Sequence, residues 1–418
     1  VCSQKGLAER FDSSIGGNSV LMPFGGKNQL TPTEGMVAKL PVIGAETTTA
    51  TAMTYGYNPY LMEWSPFHGA MYAVIESVAK MVALGGRADK IRLTFQEYFE
   101  SLGTDSRKWG RPFAALLGAL WAQHQLEIPA IGGKDSMSGT FMDLTVPPTL
   151  TSFAVDVMKA DNALSPEFKV AGSKVYYVPM PKDKLAMPDF RKLRDTYEKV
   201  SNFIAAKKVF AASSVRMGGT AAAITKMCLG NGIGFRFNSK PSMEDLFKAD
   251  YGALILEVAP DSDIKEALAG TGCYELGTTT QNSNIVAGEA VIGFAEAKKA
   301  YTSPLEKIFP TKVKVGEKKT ASEYIYTGGN RVTPKVGIAK PKIFIPVFPG
   351  TNCEYDTARA FSRAGGDPET LVIRNLTPQA VEESVEAIVK GIKASQIVML
   401  PGGFSGGDEP DGSGKFIA

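Results

Sequence analysis

Hydrophobic residues recur at helical spacing in residues 65–86, SPFHGAMYAVIESVAKMVALGG. Ser65 is a suitable N-cap, Pro66 stands at the first helical position, and Gly85 is a suitable stop. This pattern predicts one amphipathic helix. Its apolar face is formed by Met71, Val74, Ile75, Val78 and Val82.

Extended segments precede this helix and return after it. β-Branched residues and Gly/Pro punctuation in SIGGNSVLMPFGG and MVAKLPVIGAETTTATAMTYGYNP favour strands and turns. A second helix is predicted from Pro112 to about Leu126, followed by a strand, EIPAI, and a glycine-rich loop at residues 132–139. The segment PPTLTSFAVDVM predicts a further strand. Residues 1–160 therefore read as one subdomain.

Residues 161–300 predict a second mixed α/β subdomain with its own core. The segment SKVYYVPM predicts a strand, PDFRKLRDTYEKVSNFIAAKK a helix, and YGALILEVA another strand. A glycine turn, VRMGGTAAAITKM, lies between them. Residues 301–341 are rich in Lys, Pro and Gly and lack periodicity, which is typical of a linker.

Residues 342–418 alternate regularly between strand and helix. The order is KIFIPVF strand, TNCEYDTARAFSRAGG helix, ETLVIRN strand, TPQAVEESVEAIVKGIKAS helix and QIVML strand. Such a βαβαβ unit predicts a parallel, doubly wound sheet. Ligands of these sheets bind beyond the carboxyl ends of the strands. PGTN (349–352) and PGGFSGGD (401–408) are both predicted to follow such ends.

Composition argues against several classes of protein, namely nucleic-acid or membrane-surface binders, disulfide-rich proteins, zinc proteins and membrane-spanning proteins. The chain has 418 residues and a formal charge of +3, too small to favour a general nucleic-acid or membrane-surface binder. Its 4 widely spaced cysteines and 2 histidines suggest neither a disulfide framework nor a zinc site. No apolar run approaches the ~18 residues of a membrane span, and no signal peptide is recognisable. We therefore expect a cytoplasmic protein, and the abrupt start suggests an excised fragment.

Several motifs in combination resemble one family. They are GMVAKLPV near the start, the SPFHGAMYAVIESVAKM helix, the IGGKDSMSG loop, and PGTNCEYDTARAF together with PGGFSGGD near the end. In this order they resemble the phosphoribosylformylglycinamidine synthases of purine biosynthesis, in their long single-chain form. Residues 1 to about 300 look like the second of two halves related to aminoimidazole ribonucleotide synthetase. Residues 342–418 look like the opening of a class I glutamine amidotransferase domain.

The resemblance implies an ATP-dependent ligase with glutamine as the nitrogen donor. In the family, the amidotransferase releases ammonia, ATP activates the formylglycinamide oxygen as a phosphate ester, and ammonia displaces that phosphate. ATP or ADP and Mg²⁺ are the implied cofactors, although this half need not bind the metal. The implied partners are the small-molecule substrates, the first half, and the remainder of the amidotransferase domain. Because synthetase-like halves pair in the family, we also expect a possible homodimer, and for the isolated chain we expect no activity.

The turn PGGFSGGD implies one half of a glutaminase centre. By resemblance, Gly402, Gly403 and Phe404 supply an oxyanion hole, since fixed backbone dipoles stabilise developing negative charge. The alternative is a tight turn without function. The family's nucleophile lies on a G-x-C-x-G elbow, and this chain contains none. Cys353 has no later histidine to activate it, so we predict a packing role for it.

The loop GGKDSMSG implies a phosphate site. It follows a strand, and its backbone amides, Lys134 and the hydroxyls of Ser136 and Ser138 are suited to phosphate oxygens. Asp135 would orient Lys134 or cap a turn. The loop does not match a Walker A motif. The alternative is a solvated turn.

The predicted metal site departs from the family pattern. The matching positions are Asp12, Glu76 with Lys80 in place of Asn, and Met217 in place of Asp before Gly218 and Gly219, which belong to the implied nucleotide site. Ammonium and thioether groups do not replace the oxygen ligands that Mg²⁺ requires. We therefore hypothesise that Lys80 supplies positive charge where a cation would sit. The alternative is an ordinary surface pair between Glu76 and Lys80.

Three broader questions stay open at this stage. His68 and His124 lie near helix ends, where capping or surface roles are expected. A relative such as a selenophosphate or thiamine-phosphate kinase is one alternative family, although it should carry a complete aspartate-rich magnesium site. A non-catalytic scaffold, with a structural nucleotide or none, is the other alternative.

Overall fold

The structure is a computed structural model that describes residues 1–10, 18–42, 44–238, 242–260, 262–312, 328 and 337–402. The chain divides into two compact units, residues 1–317 and residues 318–418. In its described part, no helix is long and apolar enough to cross a membrane.

The first part of unit 1 is built on a five-stranded sheet. Its strand order is β3-β4-β9-β5-β6, antiparallel except for the parallel pair β5 and β6. The elements of this part are α1 (Lys5–Ala8), β1 (Phe24–Gly25), β2 (Thr31–Pro32), β3 (Met36–Lys39), β4 (Thr49–Gly56), α2 (Pro59–Trp64), α3 (Pro66–Ala83), β5 (Arg92–Tyr98), α4 (Ser106–Leu126), β6 (Ala130–Lys134), β7 (Thr140–Phe141), β8 (Leu144–Thr145) and β9 (Thr149–Lys159).

Helix α3 begins and ends as the sequence predicts. The Ser65 hydroxyl accepts the His68 N–H at its start, and Gly85 adopts a φ of +99° just beyond its end. The helix packs on β4 and β9, whose alternate residues are buried against it. Because α3 also packs on α4 and on the second sheet of unit 1, almost all of its surface is buried.

Two predicted boundaries near the loop of residues 132–139 are wrong. Helix α4 begins at Ser106 rather than at Pro112, because the Asp105 carboxylate caps it by accepting the Arg107 N–H. Strand β6 runs through Gly133 to Lys134, because these residues pair in parallel with β5. The first part of the predicted loop is therefore an edge strand.

The second part of unit 1 has a seven-stranded sheet of order β11-β13-β10-β14-β12-β15-β16. Helix α5 and strands β10 and β13 confirm the predicted pattern, and β13 is buried along its whole length. The predicted glycine turn is wrong in extent, because only its start is a turn and the chain continues from Gly219 as helix α6. The elements are β10 (Lys174–Val178), α5 (Phe190–Ala205), β11 (Val209–Ser214), α6 (Gly219–Asn231), β12 (Gly234–Phe237), α7 (Met243–Phe247), β13 (Leu254–Val258), α8 (Ile264–Ala267), β14 (Tyr274–Thr280), β15 (Ile285–Ala287), β16 (Ala290–Ile292) and α9 (Phe294–Glu306).

Unit 2 confirms the predicted βαβαβ pattern. Its three strands are parallel in the order β18-β17-β19, with β17 in the centre. Gly391 lets α11 approach the Phe344 ring of β17 closely. The elements are β17 (Lys342–Val347), α10 (Glu354–Arg363), β18 (Asp367–Val372), α11 (Pro378–Ala394) and β19 (Ile397–Val398).

A glycine at the contact between α3 and α4 gives a test of this packing. A Cβ atom at Gly118 would lie 2.0 Å from the Phe67 carbonyl oxygen, so Gly118→Ala should destabilise the chain by roughly 1–3 kcal/mol. Gly110, on the same helix, has open space around it, so Gly110→Ala should stabilise the chain by about 0.5–1 kcal/mol. Urea unfolding measures both. Equal effects of the two substitutions would contradict the close packing of these helices.

Candidate functional site

A buried ion pair on α3 forms one wall of a cleft in unit 1. Lys80 Nζ lies 2.7 Å from Glu76 Oε1, and the two side chains are only 2% and 6% exposed. The same ammonium donates to the Tyr55 carbonyl oxygen at 2.7 Å and lies 4.1 Å from the centre of the Tyr55 ring. The alternative of an ordinary surface pair is therefore wrong.

The opposite wall carries a second buried carboxylate. Glu34, after β2, accepts hydrogen bonds from the Ser213 hydroxyl at 2.8 Å and from the backbone N–H and hydroxyl of Ser214 at 3.0 and 2.7 Å. Arg216 lies between the walls, 3.8 Å from Glu34 and 3.9 Å from Glu76. Its Nε is buried and has no hydrogen-bond partner among the described residues.

Lys226 of α6 adds a third cation to the cleft. Burial, helped by the charge of Arg216, lowers the Lys226 pKa to about 8. Within the described ranges, its ammonium makes no hydrogen bond or ion pair. Three basic side chains therefore face two carboxylates, which leaves the cleft with an excess of positive charge.

The pKa values of Glu34, Lys80 and Arg216 are shifted by burial and by the neighbouring charges of the cleft. Burial would raise the Glu34 pKa, but the charges of Arg216 and Lys80 hold it below its ordinary value. Burial, together with the charge of Arg216, lowers the Lys80 pKa. For Arg216, burial acts to lower the pKa, and the two carboxylates raise it above its ordinary value. Glu34 is therefore ionised at neutral pH, and the Arg216 guanidinium keeps its charge.

The cleft is large enough for a small ligand. Its volume is about 620 Å³, and its lining includes Asn58 and Tyr251 in addition to the charged groups. A second, mainly apolar cavity of about 440 Å³ shares Lys226 and Tyr301 with it.

The glycine turn before α6 lies beside these cavities. Gly218 has a φ of +87° and is the N-cap of α6, and Gly219 follows with a φ of +63°. A Cβ atom at Gly219 would lie 2.4 Å from the Leu246 carbonyl oxygen, so only glycine fits this position. Met217 is half-exposed and lines the cleft. The predicted turn therefore contributes backbone and a thioether to the site.

The cleft does not fit a magnesium site. Glu76 is already paired with Lys80, and Glu34 is held by two serines and faces Arg216. Asp12, the other predicted metal ligand besides Glu76, lies outside the described residues. Among the residues that are described, no group of three His, Cys, Asp or Glu side chains could hold a metal ion. Mg²⁺ requires several oxygen ligands, whereas this cleft presents cations.

The loop of residues 132–139 lies apart from this cleft. Lys134 lines a shallow cavity on the outer face of the five-stranded sheet, together with Thr94, Gln96 and Phe153. Its ammonium is exposed and lies 3.3 Å from the Asp135 carbonyl oxygen. The hydroxyls of Ser136 and Ser138 are 2.8 Å apart. Within this chain, the two predicted phosphate sites are therefore separate.

A buried carboxyl beside this loop was missed by sequence reasoning. Glu97 of β5 is 5% exposed, and its Oε1 has no hydrogen-bond partner among the described residues. Burial, and then the charge of Asp135, raises its pKa to about 7. The backbone N–H of Ser136 donates to the Glu97 carbonyl oxygen, so the loop lies directly on this residue. The one sequence signal that could have identified this site was the acidic Glu97 at a core-facing position of β5.

In unit 2, two loops meet at the carboxyl end of the sheet. The Asn352 N–H donates to the Gly402 carbonyl oxygen at 3.4 Å, so the loops after β17 and β19 are in contact. Gly403 and Phe404 lie outside the described residues. Cys353 is exposed, so the predicted packing role is wrong. It precedes α10, where its side chain remains open to solvent rather than reaching the core.

The two histidines have the local surroundings that the sequence suggests. His68 Nδ1 lies 2.8 Å from the Ser65 hydroxyl at the start of α3, and its ring lies beside Trp64. His124 lies exposed in the last turn of α4. Neither histidine lines the charged cleft.

Comparisons with known proteins match two parts of the chain. A family model described as a CobB/CobQ-like glutamine amidotransferase domain matches residues 340–418. The phosphoribosylformylglycinamidine synthase subunit PurL of Picrophilus torridus is 26% identical over 342 residues, covering 73% of this chain and 43% of that protein. The subunit PurQ of Methanococcus maripaludis is 37% identical over 78 residues, covering 19% of this chain and 25% of that protein. The chain therefore spans less than half the length of these relatives.

Solved structures share the fold of the chain. The PurLQS structure from Thermotoga maritima aligns with a TM-score of 0.52 and 14% identity, covering 74% of this chain and 52% of that chain. Thermotoga maritima PurL complexed with ADP aligns with a TM-score of 0.52 and 13% identity, covering 82% and 54%. The resemblance to this synthase, with an amidotransferase segment at the end, is confirmed.

The buried carboxyl of Glu97 predicts a pH-dependent stability. Its pKa is about 7 in the folded chain against an ordinary 4.5, so ionisation opposes folding. The penalty is absent below about pH 4.5, grows between pH 4.5 and 7, and is fully present above pH 7. Glu97→Gln should therefore raise the free energy of unfolding at pH 8 by roughly 1–3 kcal/mol and leave it nearly unchanged at pH 4.5.

Urea unfolding across this pH range measures the effect. The exposed Glu63 provides a control, because Glu63→Gln should change the free energy of unfolding by less than about 0.5 kcal/mol at every pH. A Glu97→Gln variant that is less stable than the parent at pH 8 would show that the carboxylate has a stabilising partner.

Proposed function

We propose that this chain is part of a phosphoribosylformylglycinamidine synthase that carries its synthetase and amidotransferase segments in one polypeptide. One observation carries the proposal. Relatives named as two separate subunits, PurL and PurQ, both match this single chain. The amidotransferase match lies at residues 340–418, after the synthetase-like unit. The complete protein would therefore be a cytoplasmic C–N ligase of purine biosynthesis.

The complete reaction needs two chemical steps that separate domains supply. A glutaminase domain hydrolyses glutamine to glutamate and ammonia. A synthetase domain transfers the γ-phosphoryl group of ATP to the amide oxygen of formylglycinamide ribonucleotide, and ammonia then displaces phosphate. The products are formylglycinamidine ribonucleotide, ADP, phosphate and glutamate. In this chain, unit 1 corresponds to part of the synthetase and unit 2 to part of the glutaminase.

The charged cleft of unit 1 is our candidate for a nucleotide site that does not use a metal. Its excess positive charge would neutralise phosphate oxygens, with Arg216 Nε and Lys226 as available donors. The Gly218–Gly219 turn would offer backbone N–H groups at the start of α6. Lys80 would supply the positive charge at the position where the family places magnesium. A structure of PurL complexed with ADP is among the structures of similar fold.

The loop around Lys134 is our candidate for a substrate or phosphate contact on the outer sheet face. Lys134 is exposed and unpaired with any carboxylate in the described structure, so it is free to meet an anion. A scaffold role for this half is the alternative. It would be favoured if Lys134→Ala and Glu76→Ala left the activity of the complete protein intact.

The outer face of the five-stranded sheet is the candidate contact with another synthetase-like half. Apolar side chains of three neighbouring strands are exposed there, among them Met36, Met53, Tyr55 and Val157. An exposed apolar sheet face of this kind favours a partner. In the complete protein the partner would be the first half, and in the isolated chain it would be a second copy.

In unit 2, we assign the oxyanion hole to the turn that begins at Gly402 and continues with Gly403 and Phe404. The contact between Asn352 and Gly402 supports a site at this edge of the sheet. The chain has no G-x-C-x-G elbow, and Cys353 has no histidine after it in the sequence. This part would therefore contribute only one side of a glutaminase centre.

Enzyme assays test whether this chain holds only part of the synthetase and part of the glutaminase. The 418-residue chain should neither hydrolyse glutamine nor make formylglycinamidine ribonucleotide, whereas the complete polypeptide of its gene should do both. Cys353→Ser in the complete polypeptide should leave the glutaminase rate within about twofold, because the residue is exposed and outside any Cys–His pair. Glutamine hydrolysis by the 418-residue chain that is lost on Cys353→Ser would refute this assignment.

Calorimetry with ADP tests the metal-independent cleft. ADP should bind equally tightly in excess EDTA and in excess Mg²⁺. An EDTA concentration of roughly millimolar order is enough to remove free magnesium. Lys226→Ala should weaken binding about tenfold or more, because it removes a charged donor. Affinity should also fall as the pH rises above about 8, where Lys226 loses its proton.

Lys192→Ala provides the matched control, since Lys192 is an exposed lysine on α5, away from the cleft. It should leave the affinity unchanged. Binding that is tight and strictly dependent on magnesium would contradict the role given to Lys80, without affecting the assignment of the chain to the synthase.

A further inference from the structure

Lys226 lies where the charged cleft and the apolar cavity meet, since its side chain lines both. Its backbone is held by the hairpin of β1 and β2, because the Thr31 hydroxyl donates to the Lys226 carbonyl oxygen. Asn28 of the same hairpin donates to the carbonyl oxygens of Gly230 and Leu229, at 2.8 and 3.0 Å. The backbone is therefore fixed, whereas the ammonium has no hydrogen bond or ion pair within the described ranges.

On the cleft side, the carboxylates that face Lys226 are already committed to other groups. Glu76 lies 2.7 Å from Lys80 Nζ, and Glu34 accepts hydrogen bonds from two serines. Arg216 lies 3.8 Å from Glu34 and 3.9 Å from Glu76. The amine of Lys226 thus shares the cleft with two other cations and is not paired with either carboxylate.

On the cavity side, the wall beside Lys226 is mainly apolar. It is formed by side chains of α6, α7, β15, β16 and α9. Glu296 of α9 lines this cavity but is exposed to solvent, and Tyr301 is neutral because burial raises its pKa to about 12. An amine between an apolar wall and other cations is poorly solvated in its charged form.

These surroundings make Lys226 a nucleophile near neutral pH. Burial, and then the charge of Arg216, lowers its pKa from an ordinary 10.5 to about 8. At about pH 7.5, roughly one molecule in four then carries the neutral amine, against about one in a thousand for an ordinary lysine. Desolvated lysines beside a second cation form Schiff bases with carbonyl compounds.

The cleft and the cavity together define the carbonyl compound that fits. Arg216 Nε is buried and has no partner among the described residues, so it is available to a phosphate group beside Lys226. The apolar cavity of about 440 Å³ is large enough for an aromatic ring. An aldehyde suits the amine, because imine formation expels only water.

We propose that Lys226 is a covalent binding site for aromatic aldehydes that carry a phosphate group, which it holds as a Schiff base. The Nζ lone pair attacks the aldehyde carbon, and a C=N bond replaces the C=O bond. The two hydrogens of the neutral amine leave with the aldehyde oxygen as water, so no oxidant or reductant takes part. The site goes beyond the proposed function and would exist even if the cleft bound no ADP.

Reductive labelling of the full 418-residue chain with pyridoxal 5′-phosphate tests this site. Borohydride converts the imine to a stable secondary amine, which peptide mass spectrometry locates. At limiting reagent, Lys226 should be labelled about tenfold faster or more than Lys192, which is exposed on α5. Pyridoxal, which lacks the phosphate, should label Lys226 about tenfold more slowly, because it makes no charged contact in the cleft.

The pH dependence of labelling distinguishes a nucleophilic lysine from one that is only accessible. The labelling rate of Lys226 should level off above about pH 8, where its amine is neutral. Labelling of solvent-exposed lysines continues to rise toward about pH 10. Without borohydride, the imine absorbance of the mixture should be lost in Lys226→Arg, which keeps the positive charge but has no primary amine.

Two results would refute the site, and a third separates it from the proposed function. Labelling of Lys226 no faster than that of Lys192 would show that the amine is not activated. Equal labelling by pyridoxal and its phosphate would show that the cleft does not recognise the phosphate group. If excess ADP leaves fast labelling of Lys226 unchanged, the covalent site stands and the proposed nucleotide site fails.

Discussion

The buried ion pair between Glu76 and Lys80 is the constraint around which unit 1 is organised. Both groups lie on a helix whose surface is almost entirely covered, so neither charge can reach bulk water. Taking such charges out of water costs several kcal/mol per ion unless they are paired and hydrogen-bonded. The Tyr55 carbonyl oxygen and Arg216 complete this pairing, which ties α3 to β4 and to the region after β11.

The same pairing decides what the cleft can bind. A carboxylate that is committed to an ammonium at 2.7 Å is not available as a metal ligand, and the remaining basic groups leave positive charge in excess. A site of this kind attracts phosphate oxygens directly, without a metal to bridge them. Under the proposed function, these cations would take the place of a metal ion beside the phosphates.

Most of the secondary structure could be read from the sequence, because local signals are strong there. Helix α3 has a serine cap, a proline at its first position and a glycine stop, and unit 2 alternates strand and helix without interruption. The errors occurred where a tertiary contact or an isolated cap overrides the pattern. Pro112 suggested a helix start, although Asp105 caps the helix earlier, and Gly132 and Gly133 suggested a loop, although pairing with β5 makes them a strand.

The sequence by itself determined the family resemblance, the order of the elements and the chemical types at the candidate sites, because these depend on local spacing and residue identity. Only the tertiary structure decided which charges are buried together. Glu34 is far from Arg216 and Lys226 in the chain, and the three side chains meet through the packing of β2, α3, β11 and α6. Tertiary packing also decided that the Glu97 carboxyl is buried, with a raised pKa, and that the Cys353 thiol is exposed to solvent. The local sequence around these two residues does not show which of them is buried.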